Sequence, residues 1–146
     1  MWPFTKSKED DTSLVPRRDE LNTMARTLLE VARLDFDSSS QLEQALTATF
    51  LFGMIFAHGS THGMQPHEVH ALSLVVFQDT LHYSDAAAAE GVQQAISAST
   101  PGYHNTMHAI IHRGIDGHRQ YVEGDRAGLG ENIQSVLAHF RKNEEG

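Results

Sequence analysis

The sequence contains no cysteine, which removes disulfides, thiolate nucleophiles and cysteine-based zinc sites together. Long apolar runs are also missing. The longest, residues 45–57, includes two threonines and a glycine and falls short of the roughly 18–20 residues needed to cross a bilayer. No contact with membrane is expected. The N-terminal Met-Trp-Pro-Phe-Thr-Lys-Ser-Lys-Glu-Asp-Asp lacks the apolar core of a signal peptide, so a cytoplasmic location is expected. Cations are scarce: 11 Lys and Arg stand against 19 Asp and Glu, a formal net charge of −8. That balance offers no basic footprint for nucleic acid. It suits a basic protein partner, whose association charge complementarity would speed. Period-two alternation and internal repeats of 20–50 residues are absent as well, which excludes sheet and solenoid architectures.

Helical periodicity is what the chain does have. Leu21, Met24, Ala25, Leu28, Leu29 and Ala32 recur at spacings of three and four, predicting a first helix over 19–36. Ser40-Gln-Leu-Glu43 reads as a capping box opening a second helix over 41–58. Past its first turn that helix is apolar almost all round, the mark of a buried central helix. Glycines at 59 and 63 serve as its stop signals. Pro66 suits the first position of a third helix over 66–83. Asp85 or Ser84 caps a fourth through Ile96, and Thr100-Pro101-Gly102 is a turn. A fifth helix is predicted over 103–123. Gly124, Gly128 and Gly130 read as a flexible connector to a last helix over 131–142. The expectation is all-α: a single compact domain of about six helices around the central one. The flexible tail covers 1–18, the domain 19–142 and a short C-terminal tail 143–146. Trp2 and Phe4 are the only large apolar residues of the first tail's opening and are candidates to tuck against the domain.

Residues 103–121 concentrate the chemistry. As a helix they place Met107, Ile110, Ile111, Gly114 and Ile115 on an apolar side, and His108, His112, Asp116 and Arg119 on an adjoining polar stripe. The spacings predict a His112–Asp116 hydrogen bond and an Asp116–Arg119 ion pair. Gly114 and Gly117 each cost roughly 1 kcal/mol relative to Ala inside a helix. They fall at the edge of the apolar face, where a missing side chain lets another helix approach closely.

His58 and His62 are four apart, as are His104, His108 and His112, and such spacing puts imidazoles on one face at chelating distance. The paired Glu-x-x-His motifs of helical di-metal bundles are missing. His67-Glu-Val-His70 is one residue short of the zinc-protease motif, and the glycines argue against a helix at 58–62. No metal and no other cofactor are expected; a metal, if any, would take His104, His108 and His112. No nucleophile elbow or phosphate loop occurs. His112 with Asp116 has the form of an oriented general base. Those histidines with Asp116 define the alternative reading, a small helical metalloprotein or hydrolase.

The segment Ala109-Ile-Ile-His-Arg-Gly-Ile-Asp-Gly-His118, above all His112–Gly117, resembles the immunity proteins of bacterial polymorphic toxin systems, in particular immunity protein family 48. Phe50-Leu-Phe-Gly-Met54 gives weaker support, and the likeness covers about residues 21–140. The resemblance implies a non-enzymatic protein that binds a cognate toxin domain, usually encoded nearby, and holds it inactive. Partner-binding residues are then expected at His108, His112, Arg113, Asp116, Arg119 and Tyr121, since arginine and tyrosine are enriched at binding hot spots. The two glycines of the motif equally suit a packing role.

Overall fold

The computed structural model describes the backbone of residues 2–145 and the side chains of residues 15–141. Among the described residues six α-helices follow one another: α1 (Trp2–Ala32), α2 (Gln41–Thr61), α3 (Pro66–Asp79), α4 (Asp85–Ala98), α5 (Asn105–Val122) and α6 (Arg126–Glu145). A single 3-10 turn, Phe36–Ser38, lies between the first two, and the described residues contain no strand. The all-α architecture expected from the periodicity is the one observed.

Local chemistry sets most of the boundaries. Ser40 and Glu43 form the reciprocal capping box, the Ser40 hydroxyl accepting from the Glu43 amide and the Glu43 carboxylate from the Ser40 amide. Pro66 opens α3, and Ser84 caps α4 through the Ala87 amide. Helix α5 is unbroken through Gly114 and Gly117, as the continuous periodicity implied.

Several boundaries differ from those read in the sequence. Helix α1 is under way before Asp19, with Pro16 inside it and Arg18 already reaching Asp79 of α3. The proposed packing of Trp2 and Phe4 lies outside the described side chains. At its other end α1 stops at Ala32 rather than Phe36, because Arg33 takes a left-handed conformation (φ 55°) and the amides of Arg33 and Leu34 return to Glu30 and Leu29. Helix α2 continues past Gly59 to Thr61. Gly63, at φ 68°, makes the left-handed termination instead, with Met64 donating back to the Gly59 carbonyl at 2.9 Å. Helix α3 ends at Asp79, where the chain turns through His82 (φ 61°).

The last difference concerns the supposed connector at 124–130. Asp125 caps α6, its carboxylate accepting from the Gly128 amide at 2.9 Å, so Gly128 and Gly130 lie within the helix. Gly130 faces α1: a Cβ there would meet the Val31 carbonyl oxygen at 3.2 Å.

Helix α2 is the centre. It packs against every other helix and most extensively against α5. Residues 46–55 are buried without interruption, including Phe50, Leu51, Met54 and Ile55. Burial on this scale supplies the main driving force, about 1.5–3 kcal/mol per large apolar side chain. At the α2–α5 crossing the two backbones touch. A Cβ on Gly53 would come within 3.0 Å of the Ile111 carbonyl oxygen, and one on Gly114 equally close to that of Phe50. Gly117 leaves room for the Phe50 ring, which an added Cβ would meet at 2.8 Å. Phe50–Met54 and His112–Gly117 thus meet face to face, and the glycines of both are packing residues.

Candidate functional site

With its glycine edge pressed on α2, α5 presents its polar stripe outward. His112, Asp116 and Arg119 are exposed and His108 is half-buried. His108 Nδ1 lies 3.0 Å from the Ala98 carbonyl, so it carries the proton that it donates there. His108 Nε2 then accepts from His112 Nε2 at 3.1 Å. His112 is therefore turned toward His108, and the expected His112–Asp116 hydrogen bond is not made. Arg119 pairs one turn onward with Glu123, at 3.0 Å, rather than with Asp116. Asp116 has no partner among the described residues.

Arg113 points elsewhere. Its Nε donates to Asn132 Oδ1 at 2.7 Å and its NH2 to the Asn132 carbonyl and Ser135 Oγ, both at 3.2 Å. Buried Asn132 replies from Nδ2 to the Arg113 carbonyl and to Gln120 Oε1, both at 3.0 Å. Together they clamp α5 to α6. Beside the clamp, Asp116, Arg119, Gln120 and Glu131 line an open groove of about 410 Å³. Tyr121 lies in a separate cleft of about 660 Å³ with Asp19, Glu20, Thr61 and Val122. The six partner-facing candidates therefore divide: Asp116 and Arg119 share the groove with Arg113 at its wall, His112 and His108 sit one and two turns back, and Tyr121 opens onto another face.

The histidines spaced for chelation divide in the same way. His104 caps α5, its Nδ1 accepting from the Met107 amide at 3.2 Å, and does not join His108 and His112. The convergent set is Glu20, His58 and His62, on α1 and α2 in the Tyr121 cleft. His58 Nε2 is 3.0 Å from Glu20 Oε2, and its Nδ1 is 3.1 Å from Nε2 of His118 on α5. Arg17 holds the same Glu20 oxygen at 2.9 Å.

Burial pushes His118 down to about 4, and the neighbouring His58 and His62 push the same way. His58 is also lowered by burial, against the upward pull of Glu20. Partial burial works to raise the Glu20 carboxyl, but hydrogen bonds from His58 and Arg17 outweigh it and hold the group below the usual carboxylate range. Both central imidazoles are neutral at pH 7. Sequence reasoning missed Glu20 and His118. Glu20 is brought in from a distant helix and left no local trace. His118 did leave one: it lies seven residues after Ile111 and four after Gly114, on the apolar face.

Taken together, the fold and its surfaces define a compact helical scaffold with a charged, outward-facing helix. Residues 18–141 match the model of the family described as Immunity protein 48, and the chain belongs to that family. No curated protein and no solved structure matches the chain at a significant level.

Proposed function

We propose that this protein neutralises a cognate toxin domain by direct, non-enzymatic complex formation, and that the outer face of α5 with the α5–α6 groove makes the contact. Membership of the immunity family over residues 18–141 is the observation that carries the reading. The exposed stripe supports the choice of surface. Among the described residues Asp116 has no hydrogen-bond partner, and Arg119 is held there by an exposed ion pair, which is worth little to stability and is readily exchanged for a partner. Arg113 and Asn132 fix the groove wall from behind, which limits the ordering cost on binding. The net charge of −8 suits a basic partner cleft. We place the toxin gene beside this one and the encounter in the cytoplasm.

A tagged chain recovered from the cells that make it, with its bound partner identified by mass spectrometry, tests the reading when followed by a growth assay. The partner is expected to be a stoichiometric protein carrying a toxic domain, and co-expression of this chain is expected to restore growth. A captured domain that is harmless alone, or that remains toxic when this chain is present, overturns the proposal.

A further inference from the structure

We propose that Glu20, His58 and His62 form a site for one divalent transition-metal ion of the zinc class. One ligand atom from each lies within 4.8 Å of the others. His58 Nε2 and Glu20 Oε2 are 3.0 Å apart, close to the edge of about 3.4 Å that two ligands span on a tetrahedral zinc with bonds of about 2.0–2.1 Å. Metal-ligating histidines characteristically engage their second ring nitrogen with another group, which fixes the ring and leaves the other nitrogen for the ion. Both imidazoles here meet that condition. His62 Nδ1 donates to the His58 carbonyl at 2.8 Å, and His58 Nδ1 faces His118 Nε2 at 3.1 Å, which leaves Nε2 on each ring.

The platform is rigid where it has to be. His58 is buried on the central helix, His62 follows one turn later, and the two rings pack at a tilt of 35° with centroids 4.2 Å apart. Glu20 Oε2 exchanges its hydrogen bond with His58 for the ion and keeps Arg17 as its second partner. Two imidazoles and one carboxylate select zinc, cobalt, nickel or copper over magnesium or calcium. The cleft lined by Asp19, Thr61 and Tyr121 leaves the fourth position open to water. Binding moves the His58 ring proton from Nε2 to Nδ1, and His118 makes the matching shift from donor to acceptor. No net proton is released.

The site is independent of toxin binding and is tested without it. Metal-free protein is titrated with zinc chloride by calorimetry and with cobalt chloride by visible absorption. One equivalent is expected to bind with a Kd of about 1 µM or tighter, with the intense visible bands of tetrahedral cobalt. Glu20→Gln and His62→Ala alter exposed side chains and leave the buried His58 in place, so both variants are expected to fold, as circular dichroism would verify. Each should weaken binding about tenfold or more. The His108→Ala/His112→Ala double variant should bind as the parent does. Absence of a one-to-one event, unchanged affinity in Glu20→Gln and His62→Ala, or loss of binding in the His108/His112 variant would overturn the assignment.

Discussion

Gly53→Ala and Gly114→Ala put the α2–α5 crossing to a test in which the sign itself is informative. Replacing glycine by alanine in an unobstructed helix interior gains about 0.5–1 kcal/mol. Gly91 on α4 is such a position: its added Cβ would meet the Phe77 and Tyr83 rings at 3.5 Å, ordinary contact. Gly91→Ala should therefore stabilise the protein. At Gly53 the new Cβ would lie within 3.0 Å of the Ile111 carbonyl oxygen and 3.1 Å from the Gly114 Cα. At Gly114 it would lie within 3.0 Å of the Phe50 oxygen and 3.1 Å from the Gly53 Cα. Backbone stands on both sides, so no rotamer change relieves the overlap and the helices have to separate.

A gap of about 0.5–1 Å already forfeits a quarter to a half of the dispersion attraction across it. The contact that opens is the most extensive in the fold and includes Phe50, Met54, Ile110 and Ile111. Overpacking typically costs about 1–3 kcal/mol, and the backbone obstruction places each variant at the upper end or beyond, about 3 kcal/mol. That is a large part of the roughly 5–15 kcal/mol that stabilises an ordinary domain. The double variant should cost less than the sum, because one separation relieves both overlaps. Urea denaturation followed by circular dichroism measures all four proteins. Equal or greater stability of Gly53→Ala or Gly114→Ala would refute the crossing geometry.

Two further perturbations test the interior polar groups. His118 in the folded protein titrates at about 4, below its ordinary value, so between that pH and about 6.5 the unfolded chain binds more protons. Its contribution is fully present above pH 6.5 and is lost as pH falls toward 4, amounting to about 3 kcal/mol, with His58 acting in the same direction. Urea midpoints of the metal-free protein across this window should show the decline, and His118→Gln should flatten it; a flat parent profile would contradict the buried neutral imidazole. Asn132→Ala strips the clamp of its central residue and leaves the Arg113 carbonyl and Gln120 without their partner, at a cost of about 2 kcal/mol that the same denaturation curves would register.

Much of this fold is written locally. The Ser40–Glu43 box, Pro66 at the start of α3 and the apolar breadth of residues 46–55 can each be read within one or two helical turns, and each appears in the structure. Glycine proved ambiguous for a physical reason. The same residue ends a helix at Gly63 through a left-handed backbone, and permits close approach at Gly53, Gly114 and Gly130, within helices that continue. Only the partner element distinguishes the two uses, and the partner is remote in sequence. The Gly128–Gly130 segment was misread as a connector on that account, although Asp125 three residues before Gly128 was a legible cap. In the stripe, helical spacing correctly placed His112, Asp116 and Arg119 on one exposed face. It failed on their pairing, because His108 offered His112, and Glu123 offered Arg119, a second neighbour four residues away. The Glu20–His58–His118 chain joins three helices, and no local pattern encodes it.

The most direct test of the central claim is the affinity of the toxic domain for this protein and for the charge-reversed variants Asp116→Arg and Arg119→Asp, measured by calorimetry alongside thermal unfolding. Both substitutions fall on exposed side chains outside the packed core, so unfolding temperatures should match the parent. The account predicts a one-to-one complex with the parent and a loss of at least about tenfold, roughly 1.4 kcal/mol, in each variant. Variants that bind as tightly as the parent would remove the outer face of α5 from the interface. A toxic domain that binds none of the three proteins would contradict the account as a whole.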